Sequence, residues 1–173
     1  MSESLDALDV DLLRALHDTP RAGVMELSRQ LGVARGTAAA RIDRLERAGV
    51  ITGYGPDIDV AAAGYGVQAF VTLEIAQGEL RDLTDQLSAL PEVLEAYATT
   101  GSSDVLCRLA AASNEDLQQT LLALAHLPLV KRSTSVVVLS VVVAPRALPL
   151  LARRPRRPPR RAPSYRTRAA PLA

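Results

Sequence analysis

Arg35-Gly36-Thr37-Ala38-Ala39-Ala40-Arg41-Ile42-Asp43-Arg44-Leu45-Glu46-Arg47-Ala48-Gly49 decides the fold of the first third of the chain. Wound as a helix at about 100° per residue, it gathers Ala38, Ile42 and Leu45 on one side. Gly36, Thr37, Ala40, Arg41, Arg44 and Arg47 fall on the opposite half. Gly49 stops the helix. Immediately upstream, Val24 to Leu31 is a shorter apolar-periodic stretch closed by Gly32, so Gly32-Val33-Ala34-Arg35 is a four-residue connection. Earlier still, Leu5, Leu8, Leu12 and Leu16 recur at helical spacing and predict a helix over about Leu5 to His17, ended by Pro20. Three helices joined this way form a helix-turn-helix. Downstream, Val50 to Pro56 contains three glycine or proline breakers and predicts a short strand and connector, the wing of the domain.

Beyond Gly66 the rhythm changes. Val67 to Ile75 alternates, with Ala69, Val71, Leu73 and Ile75 on one face, and predicts a strand. Glu79 to Leu90 predicts a helix with Leu80, Leu83, Leu87 and Leu90 inward. Val93 to Thr100 and Asp104 to Ala111 predict strands joined by the tight Gly101-Ser102-Ser103 turn. Ser113, with Asp116 three residues on, opens a helix striped by Leu117, Leu121 and Leu124. A last strand is expected from about Val130 to Val143. The order βαββαβ is that of a ferredoxin-like antiparallel sheet with both helices on one face. The fold class expected is therefore α+β: residues 1–55 a (winged) helix-turn-helix domain, 56–66 a linker, 67–144 a ferredoxin-like domain, and 145–173 a disordered basic tail.

Charge follows the same partition. Residues 1–60 carry seven arginines against ten acids, residues 61–144 four basic groups against nine acids, and residues 145–173 nine arginines and no acid. The net +1 conceals two acidic folded pieces and a basic tail. Nineteen arginines to one lysine indicate compositional bias, so no single site is read for arginine over lysine. The tail alternates Arg and Pro and cannot bury a core. It is either a bland appendage, a source of sequence-independent phosphate contacts, or a neutraliser of a neighbouring subunit. One cysteine, Cys107, excludes a disulfide framework, and two histidines argue against a catalytic metal centre. The acidic start lacks the order of a secretion signal, and the longest apolar run falls short of the roughly 18 residues of a membrane span. A cytoplasmic protein without membrane partner, metal or cofactor is expected.

Val136 to Val143 is apolar on both faces, and a strand of that kind must be covered twice. The two helices supply one cover. A second copy of the sheet is the economical second, so a homodimer through the open face is expected.

Four arginines in the thirteen residues Arg35 to Arg47 make the third helix the candidate DNA reader. Small Gly36, Thr37 and Ala40 let its backbone approach a major groove. Arg35, Thr37, Ala40 and Arg44 are expected near bases and Arg47 on phosphate. Arg41 either joins them or pairs with an acid of the first helices.

The chain resembles the Lrp/AsnC family of transcription regulators. The resemblance rests on Leu5-Asp6-Ala7-Leu8-Asp9, Arg21 with Glu26-Leu27, and Arg41-Ile42-Asp43-Arg44-Leu45-Glu46-Arg47-Ala48-Gly49-Val50-Ile51 followed by Gly53-Tyr54. It continues through Pro91-Glu92-Val93, Thr100-Gly101-Ser102-Ser103-Asp104 and Leu127-Pro128 with Val130. It implies a dimer or a higher assembly of dimers (tetramer or octamer) that binds double-stranded DNA. It also implies a small-molecule effector, an amino acid or similar metabolite, held between subunits near the Gly-x-x-Asp turn. Here that turn is Gly101-Ser102-Ser103-Asp104, whose backbone N–H groups suit a carboxylate while Asp104 suits an ammonium. Tyr97, Thr99 and Thr100 precede it, and Ser133, Thr134 and Ser135 are expected to border it. Glycine and serine also suit any hairpin turn. Cys107 alternates with Val105 and Leu109 and reads as core.

Two departures from the family stand out: Gly23 and Ala34 occupy N-caps where serine or threonine is usual. The recognition helix is therefore expected to start loosely and to be ordered by DNA. Two other functions compete with this: an enzyme like the sirohaem decarboxylases, and an amino-acid-binding module that has lost DNA binding. The domain lacks the convergent His, Arg and Tyr the first needs, and the second has no use for four arginines on one helix.

Overall fold

A computed structural model of the chain describes residues 5–76 and 80–153. The described residues divide into two compact units, 5–55 together with 145–153, and 56–76 together with 80–144.

In the helical unit, α1 spans Ala7–Asp18, α2 Val24–Gln30 and α3 Arg35–Arg47. Asp6 caps α1, accepting from the Asp9 amide while Asp9 accepts from the Asp6 amide. This reciprocal box satisfies two of the helix's otherwise orphaned donors. The ends of α2 and α3 share one solution. Gly32 and Gly49 take positive φ of 65° and 66°. Their amides donate to Arg29 and Glu46, and the next amides, of Val33 and Val50, reach back to Ser28 and Leu45. These are Schellman turns, which need the left-handed backbone that glycine adopts without penalty. Leu12, Ala15, Leu27 and Leu45 are buried together at the centre, with Leu16, Leu31, Ile42 and Ile51 around them.

The short strand expected over Val50 to Pro56 does not form. Val50 and Ile51 both donate to the Leu45 carbonyl, so their backbone closes α3 instead of pairing with another strand. The basic tail is corrected at its beginning. Leu148–Ala152 form a short helix, α6, that packs against α1. Proline in its first turn is compatible with this, because that position needs no N–H donor. The Arg/Pro run from residue 154 onward lies outside the described residues.

In the sheet unit the strands are β1 Val67–Ile75, β2 Val93–Ala98, β3 Val105–Ala111 and β4 Val130–Val137. The helices are α4 Leu80–Ser88 and α5 Asn114–Ala125. The sheet is antiparallel in the order β2-β3-β1-β4, the ferredoxin-like arrangement expected. Ala69, Val71 and Leu73 of β1 and Val105, Cys107, Leu109 and Ala111 of β3 are buried with Leu83, Leu87, Leu117 and Leu124. Cys107 is fully buried, and burial pushes its thiol up to about 11, so it is core and a poor nucleophile at neutral pH. Ser113 caps α5 by accepting from the Asp116 amide, and its hydroxyl donates to the Asp116 carboxylate.

Two expectations are corrected here. Leu80 is not inward but exposed. The last strand ends at Val137 rather than Val143: Val137 pairs with Ala69, and the Val138 amide donates to Gln68. Since β1 begins at Val67, the valines beyond have no neighbouring strand to pair with. Leu139 and Val142 are almost fully exposed.

Candidate DNA-reading helix and sensing turn

Gly36, Thr37, Ala40, Arg41 and Arg44 line one shallow depression on α3. Arg35 and Arg47 are exposed at the two ends of the same helix. A Cβ at Gly36 would meet nothing within 4 Å, so the fold itself gives no reason for glycine there. The two N-caps are bare, since neither Gly23 nor Ala34 supplies a side-chain hydrogen bond.

The arginines differ in their surroundings. Arg41 is largely buried, and its Nη1 donates at 2.7 Å to both Asp6 oxygens and to Asp9 Oδ1. Arg44 Nη2 pairs with Asp9 Oδ2. Arg47 pairs with Asp43 one turn earlier, with both side chains exposed. Asp9 has no solvent exposure. Burial pushes its carboxyl upward, but the Asp6 amide, Arg41 and Arg44 outweigh that and hold it below the usual carboxylate range. Tyr54 donates to Glu46 at 2.6 Å, and burial together with that carboxylate pushes its phenol up to about 12.

The turn residues of the sheet unit divide into groups. Thr99, Ser103 and Asp104 come together: the Thr99 amide donates to the Asp104 carbonyl, and Thr99 Oγ1 to the Ser103 carbonyl. Gly101 takes a φ of 118° at the tip. Asp104 stitches the turn to β1, accepting from the Ile75 amide at 2.8 Å and donating to Leu73. A carboxylate retains capacity for further donors after one such bond. Thr100 and Ser102 sit exposed in the same turn.

Register places the rest. Tyr97 pairs with Leu106, Leu106 with Thr72, and Thr72 with Thr134. Tyr97 and Thr134 thus share the sheet's open face on opposite edges, three strand spacings or about 14 Å apart. Ser133 and Ser135 pair with the buried Leu73 and Val71 and so face the helices. Within one chain these residues do not form a single cluster. Sequence reading missed the charged partners. Glu95 accepts from Tyr97 at 2.8 Å and from Arg108 at 2.6 Å, and that arginine, with the tyrosine, holds the Glu95 carboxyl low. Their alternation was visible, but only the register makes 95 and 108 partners. Tyr97 also borders a cleft of about 320 Å³ between α4 and β2.

Residues 5–52 match the model of a winged helix-turn-helix DNA-binding family, and residues 68–148 match that of the Lrp/AsnC ligand binding domain. The HTH-type transcriptional regulator AldR of Mycolicibacterium smegmatis is 35% identical over 68% of this chain and 71% of its own. The chain belongs to the Lrp/AsnC family. Regulatory protein AsnC of Escherichia coli is 33% identical over 68% of this chain and 78% of its own. The solved structure of E. coli AsnC matches with a TM-score of 0.77 at 28% identity, covering 84% of this chain and 99% of that one. A Neisseria meningitidis transcriptional regulator solved as an L-Met complex matches with a TM-score of 0.73 at 25% identity, covering 81% and 93%. This Lrp/AsnC protein is a DNA-binding transcriptional regulator, and the relatives named are regulators, not enzymes. No helix among the described residues is long and apolar enough to cross a membrane.

Proposed function

We propose that α3 reads double-stranded DNA through the depression lined by Gly36, Thr37, Ala40 and Arg44, with Arg35 and Arg47 at its ends. The observation that carries this is the gathering of small residues and guanidinium groups on one exposed helix face. Small side chains admit a groove wall, and arginines reach base edges or phosphates. Regulation is by an amino acid seated at the Gly101–Asp104 turn, with a second copy completing the pocket and no further cofactor. The match of residues 68–148 to a ligand-binding domain and the L-Met complex of the Neisseria relative support that reading. The second copy docks on the open sheet face, where Phe70, Tyr97 and Val136 are exposed. A dimer reads two half-sites about one helical turn apart, and the protein acts in the cytoplasm.

Electrophoretic shift on the DNA upstream of its own reading frame, with and without a panel of amino acids, tests the proposal. Retardation at low salt that at least one amino acid alters is expected. Retardation of no duplex overturns the α3 reading, and indifference to every amino acid overturns the effector reading. Sedimentation of a monomer at micromolar concentration overturns the dimer.

A further inference from the structure

The cluster joining α1 to α3 carries more than the assignment of α3 as reader. We infer that Arg41 is a positioning residue for DNA recognition, clamping α3 to the capped end of α1 through Asp6 and Asp9. The inference rests on α3 being the DNA-reading helix.

The two carboxylates that cap α1 are the same two that receive Arg41. One guanidinium nitrogen sits 2.7 Å from oxygens of both, although the aspartates lie 32 and 35 residues away in the chain. Arg41 has 14% of its side chain exposed and Asp9 none, so the contact is withdrawn from bulk water. Arg44, with 35% exposed, holds the other oxygen of Asp9. Two carboxylates thus face two guanidinium groups. The positive charge of Arg41 is answered inside the protein, and little of it remains to displace counterions from DNA. The clamp fixes what α3 needs to read bases, its angle and depth relative to α1, which shares the buried Leu12–Leu45 centre. Arg41 lies on the lining of the reading depression, yet its Nη1 donates back to the capped end of α1.

Salt dependence separates positioning from contact. A phosphate-contacting arginine, once removed, lowers the slope of log K against log [salt] by about 0.9. The full chain is titrated with salt on a duplex from its own upstream DNA, alongside three variants. R41Q is expected to weaken binding by roughly tenfold, the cost of a misplaced base contact, with the slope of the parent. R47Q, at the arginine expected on phosphate, is expected to flatten the slope. D6N is the decisive variant, because asparagine caps a helix as well as aspartate does but offers Arg41 one acceptor fewer. It removes a negative charge near the DNA surface, so a contacting Arg41 predicts tighter binding. The clamp predicts binding several times weaker at unchanged slope. R41Q flattening the slope as R47Q does, or D6N binding as tightly as the parent or more so, overturns the inference. Should R41Q fail to fold, D6N decides alone. An unchanged slope in R47Q counts against the contact surface of α3, and so is told apart from failure of the clamp.

Discussion

Leu109 in β3 and Asp9 in α1 are both withdrawn from solvent, and their neighbours could hardly differ more. Leu109 belongs to a core that buries ten apolar side chains together with Cys107. Around Asp9 stand a backbone amide and two guanidinium groups, beside a buried apolar centre of four residues. The sheet unit is held by removal of hydrocarbon from water, a term insensitive to pH and roughly proportional to area. The helical unit is too small to rely on that alone, and a charged cluster binds its first helix to its third. Stability and the proposed reading face therefore meet in the same few atoms of the helical unit, whereas the sheet unit keeps its core apart from its open face and turn.

The sharpest way to break this contrast is Asp9→Asn. Removing one partner of a buried pair leaves the others uncompensated and costs about 3–5 kcal/mol. Because the Asp9 carboxyl is held low, its stabilisation is present above the unfolded value of 3.8 and disappears as pH falls through the folded one. The difference between Asp9→Asn and parent, measured by denaturant unfolding followed at helical-unit amides, should be large at neutral pH and shrink toward zero in acid. A pH-independent difference would refute the electrostatic account. Leu109→Ala should cost about 3 kcal/mol, read at sheet-unit amides and constant across the same pH range. The smallest effect sharpens the comparison within the helical unit. Ala34→Ser supplies the missing cap of α3 and should stabilise it by about 1 kcal/mol. In the parent, amides of Arg35 to Ala38 should exchange quickly until DNA is added, and strong protection in the free protein would contradict a loosely started helix.

What was legible in the sequence was periodicity. The α3 stripe of Ala38, Ile42 and Leu45, the alternation of β1, and the Ser113 cap all express local geometry, and each is found in place. What was illegible depended on partners distant in the chain. Val141 to Val143 have the residue preferences of a strand, but β1 begins at Val67 and has no residues left to pair with them. Val50 and Ile51 look like a strand and are drawn instead to the Leu45 carbonyl. Leu148 to Ala152 adjoin an arginine- and proline-rich run that hides their preference, and only the surface offered by α1 makes them a helix. Among the candidate site residues, the face of α3 could be assigned from its winding. The choice left open for Arg41 required knowing that Asp6 and Asp9 stand opposite it. The candidate effector residues are expected around one turn, but the register sets Ser133 and Ser135 on the helix side of the sheet.

The return of α6 to α1 has a consequence for dissection. The sheet unit is spliced into the helical one, so the polypeptide crosses between them twice, near Gly55 and near Pro145. A fragment cut at Gly55 would carry α1, α2 and α3 and still leave one flank of α1 undressed. Its weakness would then be an artefact of the scissors rather than a property of the motif.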